Sequence, residues 1–140
     1  MKKGLISLAF ALLLCSFSFG QTLHKGNLLG VHTLTPNLKE GVTMEDYVKF
    51  LKSKVIPAYN KALPGMTTYL IKSLRGQDSS SLGLIYMFDS EADRNKYFNS
   101  DGTPSKLLQD AEAKLSDIQK EMDKYQTSDG PDKYNDSLVK

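Results

Sequence analysis

Three side chains on predicted strands could contact a bound molecule, namely His32, Tyr69 and Tyr86. Each combines an apolar ring with a polar tip, so each can pack against a ligand and still form a hydrogen bond with it. His32 is also the candidate catalytic residue, because an imidazole can act as a general base near neutral pH or ligate a haem iron. The alternative is that all three belong to the core and that their polar atoms are satisfied within the protein.

No other sequence motif indicates a particular chemistry. The sequence has no glycine-rich phosphate loop, no Gly-x-Ser-x-Gly turn and no His-Glu-x-x-His pair, and residues 99–102 lack the ligand spacing of a calcium loop. The other histidine, His24, lies in the first residues after the N-terminal apolar segment, and we expect it to be inert. We therefore predict no metal site and no cofactor, and the sequence does not support a hydrolase, a kinase or a zinc enzyme.

The first 20 residues have the pattern of a secretory signal peptide. A basic start is followed by an apolar run of roughly a dozen residues that ends at Cys15, and small residues, Ser18 and Gly20, occupy the −3 and −1 positions. We predict cleavage before Gln21 and export to the periplasm or the exterior, which leaves 21–140 as a single domain.

Two alternatives to a cleaved signal concern the same apolar run. A transmembrane anchor needs roughly 20 apolar residues, and this run is too short. Lipoprotein processing at Cys15 expects a small residue before the cysteine, where the sequence has Leu14. Cys15 is the only cysteine of the chain, so the predicted mature chain has no thiol, no disulfide and no cysteine-based metal site.

The charge balance argues against two classes of partner. The chain has 18 basic and 16 acidic residues, and two of the basic residues but none of the acidic ones lie in the first 20. The predicted mature chain therefore has 16 residues of each sign and is neutral. Nucleic-acid binding and adhesion to an anionic membrane both require a basic surface. We predict neither a nucleic-acid partner nor membrane association after signal cleavage.

Periodicity and capping residues predict the elements that would position the candidate residues. The predicted strands are 27–35, 66–74 and 82–88, with 133–139 as either a weak last strand or a flexible, frayed tail. The predicted helices begin at Thr43, Ser90 and Thr103-Pro104. A loop is predicted at 36–42, and a polar linker at 127–132.

The first predicted helix has one apolar stripe, which runs from Tyr47 to Ala62 at spacings of three and four. Pro57 lies within this stripe. Because proline lacks the N–H that a helix interior uses, we expect the helix to kink there or to end near Ile56. The segment closes at Pro64-Gly65, a pair that stops helices.

The last predicted helix has a narrow apolar seam that runs from Leu108 to Tyr125. Such a seam is typical of a helix packed on a sheet, and a coiled coil is the alternative. The carboxylates of this helix, Glu112, Asp117 and Glu121, alternate with lysines. This pattern predicts an exposed, salt-bridged face.

The order of strand, helix, two strands, two helices and a weak strand predicts an α+β fold, the split βαβ sandwich of ferredoxin-like proteins. Helices on one face of its antiparallel sheet leave the other face uncovered. Alternation predicts that the uncovered face is formed by Leu28, Leu34, Leu84, Tyr86 and Phe88. His32 has the same parity. Since the simplest cover for an apolar face is the same face of a second copy, we predict a homodimer.

The same segments resemble the dimeric α/β-barrel superfamily, which includes antibiotic-biosynthesis-monooxygenase-like, EthD-like and NIPSNAP-like proteins. The resemblance covers residues 27–125. It is carried by a helix that runs into Leu63-Pro64-Gly65, a hairpin, and Phe88-Asp89-Ser90-Glu91-Ala92 before Tyr97-Phe98. It implies a dimer in which two sheets pair to close a barrel. The last strand of such proteins is usually firm, whereas 133–139 is a poor strand sequence.

Three functions are open from the sequence. The first is binding of a small apolar or aromatic molecule in a cleft between the sheet and the helices. The second, implied by the resemblance, is a cofactor-independent monooxygenase-like enzyme in which His32, Tyr69 and Tyr86 touch the substrate. The third is a structural or assembly role for the dimer. An enclosed cavity beside His32 would favour the first two, and a sheet face filled by side chains would favour the third.

Overall fold

The computed structural model describes residues 22–76, 81–129 and 134–140. The predicted signal peptide, 1–20, and the predicted cleavage site before Gln21 lie outside these ranges. Among the helices in the described ranges, none is both long and apolar enough to span a membrane.

The described residues form six strands in two sheets. The strands are β1 (Leu28–Leu34), β2 (Pro36–Leu38), β3 (Met66–Lys72), β4 (Leu82–Phe88), β5 (Gln126–Asp129) and β6 (Tyr134–Leu138). The larger sheet has four strands in the order β3-β4-β1-β6, and all its neighbouring strands are antiparallel. β2 and β5 pair in a two-stranded ribbon, which takes up part of the predicted loop and part of the predicted polar linker.

The helices follow β2 and β4 in the chain. They are α1 (Met44–Phe50), α2 (Ile56–Ala62), α3 (Glu91–Tyr97), α4 (Lys106–Lys114) and α5 (Ser116–Met122), with a π-helical turn (Leu51–Val55) between α1 and α2. Together with the strand order, this arrangement is the ferredoxin-like split βαβ sandwich. The predicted α+β fold class is confirmed, and the last segment pairs with β1 as a strand, β6.

Two of the three predicted helix starts are confirmed. Thr43 caps α1 and Ser90 caps α3, and each side chain accepts a hydrogen bond from the backbone N–H three residues further on. The third start is displaced, because Ser105 caps α4 instead of Thr103. Pro104 pairs with Phe98 in an isolated β-bridge, which holds the chain extended up to the cap.

Both long predicted helices are interrupted. The first does not end near Ile56 but passes through the π-helical turn and continues to Ala62. Pro57 then lies in the first turn of α2, where its missing N–H is tolerated. The last predicted helix breaks at Leu115, whose φ of −97° and ψ of 11° are not helical. Because of this break, α4 and α5 pack against different parts of the core.

The core lies between the larger sheet and the helices and has two clusters. The first contains Leu28, Leu63, Met66, Phe88, Tyr97, Leu108 and Ala111. The second contains Tyr47, Phe50, Leu51 and Val55, with Leu34, Leu70, Ile118 and Met122 among the residues packed against it. The residues that the larger sheet contributes to both clusters are alternate residues of its strands and lie on the same side of the sheet. We call this side the inner face.

The inner face is the face that the sequence predicted to be uncovered. Leu28 and Phe88 pair across β1 and β4 and belong to the first cluster, and Leu34 packs against the second. His32 and Tyr86 share this inner face by strand alternation. The prediction is wrong because both parities of these strands are apolar, so alternation alone does not indicate which set meets the helices.

The other set of strand residues forms the outer face. It consists of Leu29, Val31, Thr33, Thr67, Tyr69, Ile71, Gly83, Ile85, Met87, Asn135 and Ser137. None of these residues is charged, and none belongs to either core cluster of the described chain. On this outer face, Tyr69 and Ile71 of the edge strand β3 are 40% and 38% exposed, whereas Met87 of the central strand β4 is 4% exposed. The outer face is thus a neutral and largely apolar surface.

Candidate functional site

A pocket of about 270 Å³ lies between the inner face of the sheet and the helices. We call it the central pocket. Its apolar walls include Leu34, Leu51, Val55, Ile56, Leu84 and Met122. Its aromatic and polar walls include His32, Tyr47, Tyr59, Thr68, Tyr86, Glu112 and Gln126. This composition, mostly apolar and aromatic with a few polar groups, is typical of pockets that bind small molecules.

His32 and Tyr86 are neighbours in the wall of the central pocket. In the β1–β4 register Tyr86 lies opposite Gly30, two residues before His32 on the same face. The two ring centroids are 4.7 Å apart and the ring planes are at 77°, an edge-to-face contact. The structure therefore brings together two of the three residues that the sequence singled out, and their contact with a ligand stays a prediction.

His32 and Tyr86 also form a partition, because both line a second cavity of about 170 Å³. We call this cavity the side pocket. At its far wall the Arg94 guanidinium lies 3.1 Å from the Asp136 carboxylate and 5.0 Å from the centre of the Phe98 ring. Because these contacts engage Arg94, the side pocket does not offer a free cation to a ligand in the central pocket.

The third candidate, Tyr69, does not line the central pocket. It pairs with Ile85 on the outer face, one residue away from Thr68, which has the opposite parity and faces inward. Tyr69 instead lines a separate, wide groove of about 660 Å³ between β3 and the first helical segment, together with Met44 and Ile71. The prediction that Tyr69 shares a cleft with His32 and Tyr86 is wrong, because the strand predictions did not establish which parity of β3 faces the helices.

Thr68 is a pocket residue that the sequence analysis missed. It lies opposite Tyr86 in the β3–β4 register and is 5% exposed. Its backbone N–H donates to Asn60 Oδ1 at 2.8 Å, but its Oγ1 has no hydrogen-bond partner among the described residues. A buried hydroxyl without a partner costs about 1–3 kcal/mol. No signal in the sequence distinguishes Thr68 from the neighbouring Thr67, which lies on the outer face.

Glu112 is the second missed residue. The sequence predicted an exposed carboxylate, but Glu112 follows the buried Ala111 on α4 and lines the central pocket. Burial raises the pKa of its carboxyl group above the ordinary value of 4.5. Asp117, on α5, has the exposed side chain that the prediction expected and lies 3.7 Å from Lys120. Within the described ranges no three His, Cys, Asp or Glu side chains are grouped to hold a metal ion.

Comparison with known proteins identifies no family for this chain. No known family model matches the chain, and a search of curated protein sequences finds no match. Among solved structures, the chain is similar to a dimeric protein of unknown function and ferredoxin-like fold from Bacteroides fragilis. The TM-score is 0.44 and the sequence identity 12%, over 84% of this chain and 100% of that one. The fold class of this chain accordingly follows from its own strand order.

Proposed function

We propose that the protein binds a small apolar or aromatic molecule in the central pocket. The observation that carries the proposal is the pocket itself, whose volume of about 270 Å³ approaches the lower end of the range for ligand sites, roughly 300 Å³. Apolar and aromatic side chains from strands and helices supply most of its wall, and His32 and Tyr86 are among those that supply polar atoms. The signal peptide predicted at 1–20 would place this binding protein in the periplasm or outside the cell.

A catalytic role is the second candidate. It is favoured by the presence of two titratable side chains, His32 and Glu112, in the lining of one pocket. In the dimeric α/β-barrel proteins that the sequence resembles, a cofactor-independent oxygenation would use such groups to move a proton of the substrate. His32 stays the candidate base in this proposal, and Tyr86 would orient the substrate beside it.

The proposed assembly is a homodimer formed through the outer face. A twofold interface brings the same patch of two copies together, so a charged side chain near its axis would face its own copy. The outer face has no charged residue and is therefore compatible with a second copy of itself. Pairing of two sheets also agrees with the barrel that the sequence resemblance implies. The proposed dimer interface is thus the outer face and not the inner face that alternation predicted, while the predicted homodimer is retained.

The binding proposal can be tested by filling the central pocket. Leu84→Phe enlarges a pocket residue on β4, and Ile85→Phe makes the same type of change one residue away on the outer face. With ethylbenzene as an apolar probe and calorimetry or NMR titration as the measurement, Leu84→Phe should weaken binding by at least about tenfold. Ile85→Phe should bind like the unmodified protein. Equal ethylbenzene binding by both variants, or no binding of either ethylbenzene or benzyl alcohol to the unmodified protein, would contradict the proposal.

A further inference from the structure

The polar groups of the central pocket indicate which class of molecule it selects. Thr68 lines the pocket from β3, opposite Tyr86 on β4, and its buried Oγ1 has no hydrogen-bond partner among the described residues. Glu112 presents a carboxyl group from α4 to the same pocket. The rest of the lining is mainly apolar and aromatic and includes Leu84, Val55 and Tyr59, with a few further polar side chains such as Gln126. The pocket therefore offers hydrogen bonding at a few points and apolar contact elsewhere.

We propose that the central pocket selects a neutral molecule with a hydroxyl group on an apolar body, that Thr68 bonds this hydroxyl, and that Glu112 excludes anions. The inference rests on the proposed binding function and names the ligand class for that site. Thr68 is in this proposal a specificity-determining residue.

A ligand hydroxyl is the group that best completes the hydrogen bonding of the Thr68 Oγ1. The threonine Oγ1 can both donate and accept, and it has neither kind of partner among the described residues. Because Oγ1 has almost no accessible surface in the structure, the Thr68 side chain must rotate about χ1 to bring it to a ligand. A ligand hydroxyl can then donate to Oγ1 or accept from it, whereas a purely apolar ligand leaves Oγ1 without a partner. A site built to bond a hydroxyl discriminates against the analogue that lacks it, because the buried polar atom then stays unpaired.

Anions are disfavoured by the charge of the lining. The described lining of the central pocket contains no lysine and no arginine, and its carboxyl group belongs to Glu112. The nearest arginine across the His32–Tyr86 partition, Arg94, is engaged by Asp136. A ligand carboxylate would therefore lose its hydration without gaining a lysine or arginine partner and would approach a like-charged group.

Three probes of similar size test the proposal at pH 7. Benzyl alcohol has the hydroxyl, ethylbenzene replaces it by a methyl group, and phenylacetate has a carboxylate. The unmodified protein should bind benzyl alcohol about tenfold more tightly than ethylbenzene, and phenylacetate most weakly. Thr68→Val, which has nearly the same shape, should abolish the preference for benzyl alcohol. Thr68→Ser, which retains the hydroxyl, should preserve it.

A second variant tests the role of the carboxyl group. Glu112→Gln removes the charge and keeps the size, so it should strengthen phenylacetate binding by about threefold or more while ethylbenzene binding stays constant. Thermal melting should show that Thr68→Val is folded and at least as stable as the unmodified protein, because it removes an unpaired buried hydroxyl.

The outcomes separate this inference from the binding proposal. If ethylbenzene binds and Thr68→Val keeps the preference for benzyl alcohol, the inference is wrong and the binding proposal stands. Equal binding of phenylacetate and benzyl alcohol to the unmodified protein would also overturn it. If none of the three probes binds, both proposals fail together.

Discussion

The two faces of the larger sheet are built from alternate residues of the same strands, yet they differ in chemistry. The inner face places His32, Thr68 and Tyr86 in the lining of a pocket of about 270 Å³. The outer face has no charged residue and contributes to neither core cluster of the described chain. Adjacent residues, such as Thr68 and Tyr69, therefore belong to surfaces with different proposed roles.

This difference shows that apolar character alone does not identify the core face of a sheet. Ile85 and Leu84 are both apolar residues of β4, but Leu84 lines the central pocket and Ile85 does not. The same substitution at neighbouring positions should thus affect folding on one face and assembly on the other.

The largest contrast is expected when a charge is placed on each face. Phe88 is 2% exposed in the first core cluster, so Phe88→Asp would bury an unpaired carboxylate and also leave a cavity. We expect a loss of about 4 kcal/mol or more in the free energy of unfolding, measured by urea denaturation, or no folded protein at all. Ile85→Asp should remain folded. If both variants unfold alike, the assignment of the inner and outer faces is wrong.

The second contrast concerns assembly. Ile85→Asp places two like charges in the proposed twofold interface and should weaken dimerisation by about a hundredfold or more, which sedimentation velocity can measure. Ile85→Val, which keeps the surface apolar, is the matched control and should stay dimeric. An unmodified protein that sediments as a monomer at micromolar concentration would contradict the proposed interface.

A smaller contrast is expected between two glycines, one on each face. A Cβ at Gly83, on the outer face, would lie 2.8 Å from the His32 carbonyl oxygen and 3.2 Å from Ile71 Cγ1. The backbone at His32 must shift to make room for this Cβ. Gly83→Ala should therefore lower the free energy of unfolding by about 2 kcal/mol. A Cβ at Gly30, on the inner face, would lie 3.1 Å from Asp136 Oδ1, the end of a side chain that can move.

Gly30→Ala should therefore cost less than about 1 kcal/mol in chemical denaturation, and it should narrow the side pocket, which Gly30 lines. Equal destabilisation by the two alanine variants would show that the contact at Gly30 is as rigid as the one at Gly83. That result would count against a side pocket with a movable wall.

Much of the fold could be predicted from the sequence because its signals are local. The strand at 82–88 and the helix caps Thr43 and Ser90 follow from residue types within a few positions, and the structure has them there. The ribbon strand β5 was missed because Gln126-Thr127-Ser128-Asp129 is as polar as a linker. Its pairing with β2 is a tertiary contact that no local pattern encodes.

The candidate site was predicted in part. His32 and Tyr86 could be singled out because side chains with an aromatic ring and a polar tip on an apolar strand are visible in the sequence, and the structure has both in the lining of the central pocket. Their role in binding stays a prediction. Tyr69 was misplaced, since parity relative to the helices depends on packing and not on alternation. Glu112 was misread because one continuous helix was assumed, whereas the helix breaks at Leu115, and α4 and α5 pack against different core clusters.

The smallest expected effect concerns Glu112 and the pH dependence of stability. Burial raises its pKa, so in the folded protein this carboxyl group ionises at a higher pH than in the unfolded chain, whose value is 4.5. The folded state thus binds the proton more tightly. The stability that the protonated carboxyl contributes is complete below the unfolded value and is lost as the pH rises through the folded-state value.

Glu112→Gln has no such proton to lose and should gain stability relative to the unmodified protein as the pH is raised from 4 to 7. The gain should stay below about 1 kcal/mol, because solvent screens a carboxyl group that is only partly buried. Urea denaturation at each pH measures it, and Glu121→Gln, the same substitution on α5, is the control and should show a smaller change. A gain that shrinks with rising pH would mean that the ionised Glu112 is stabilised in the pocket. Glu112 would then be paired with a donor there, and its proposed role in excluding anions would have to be abandoned, because a carboxylate already satisfied by a donor repels a second one less.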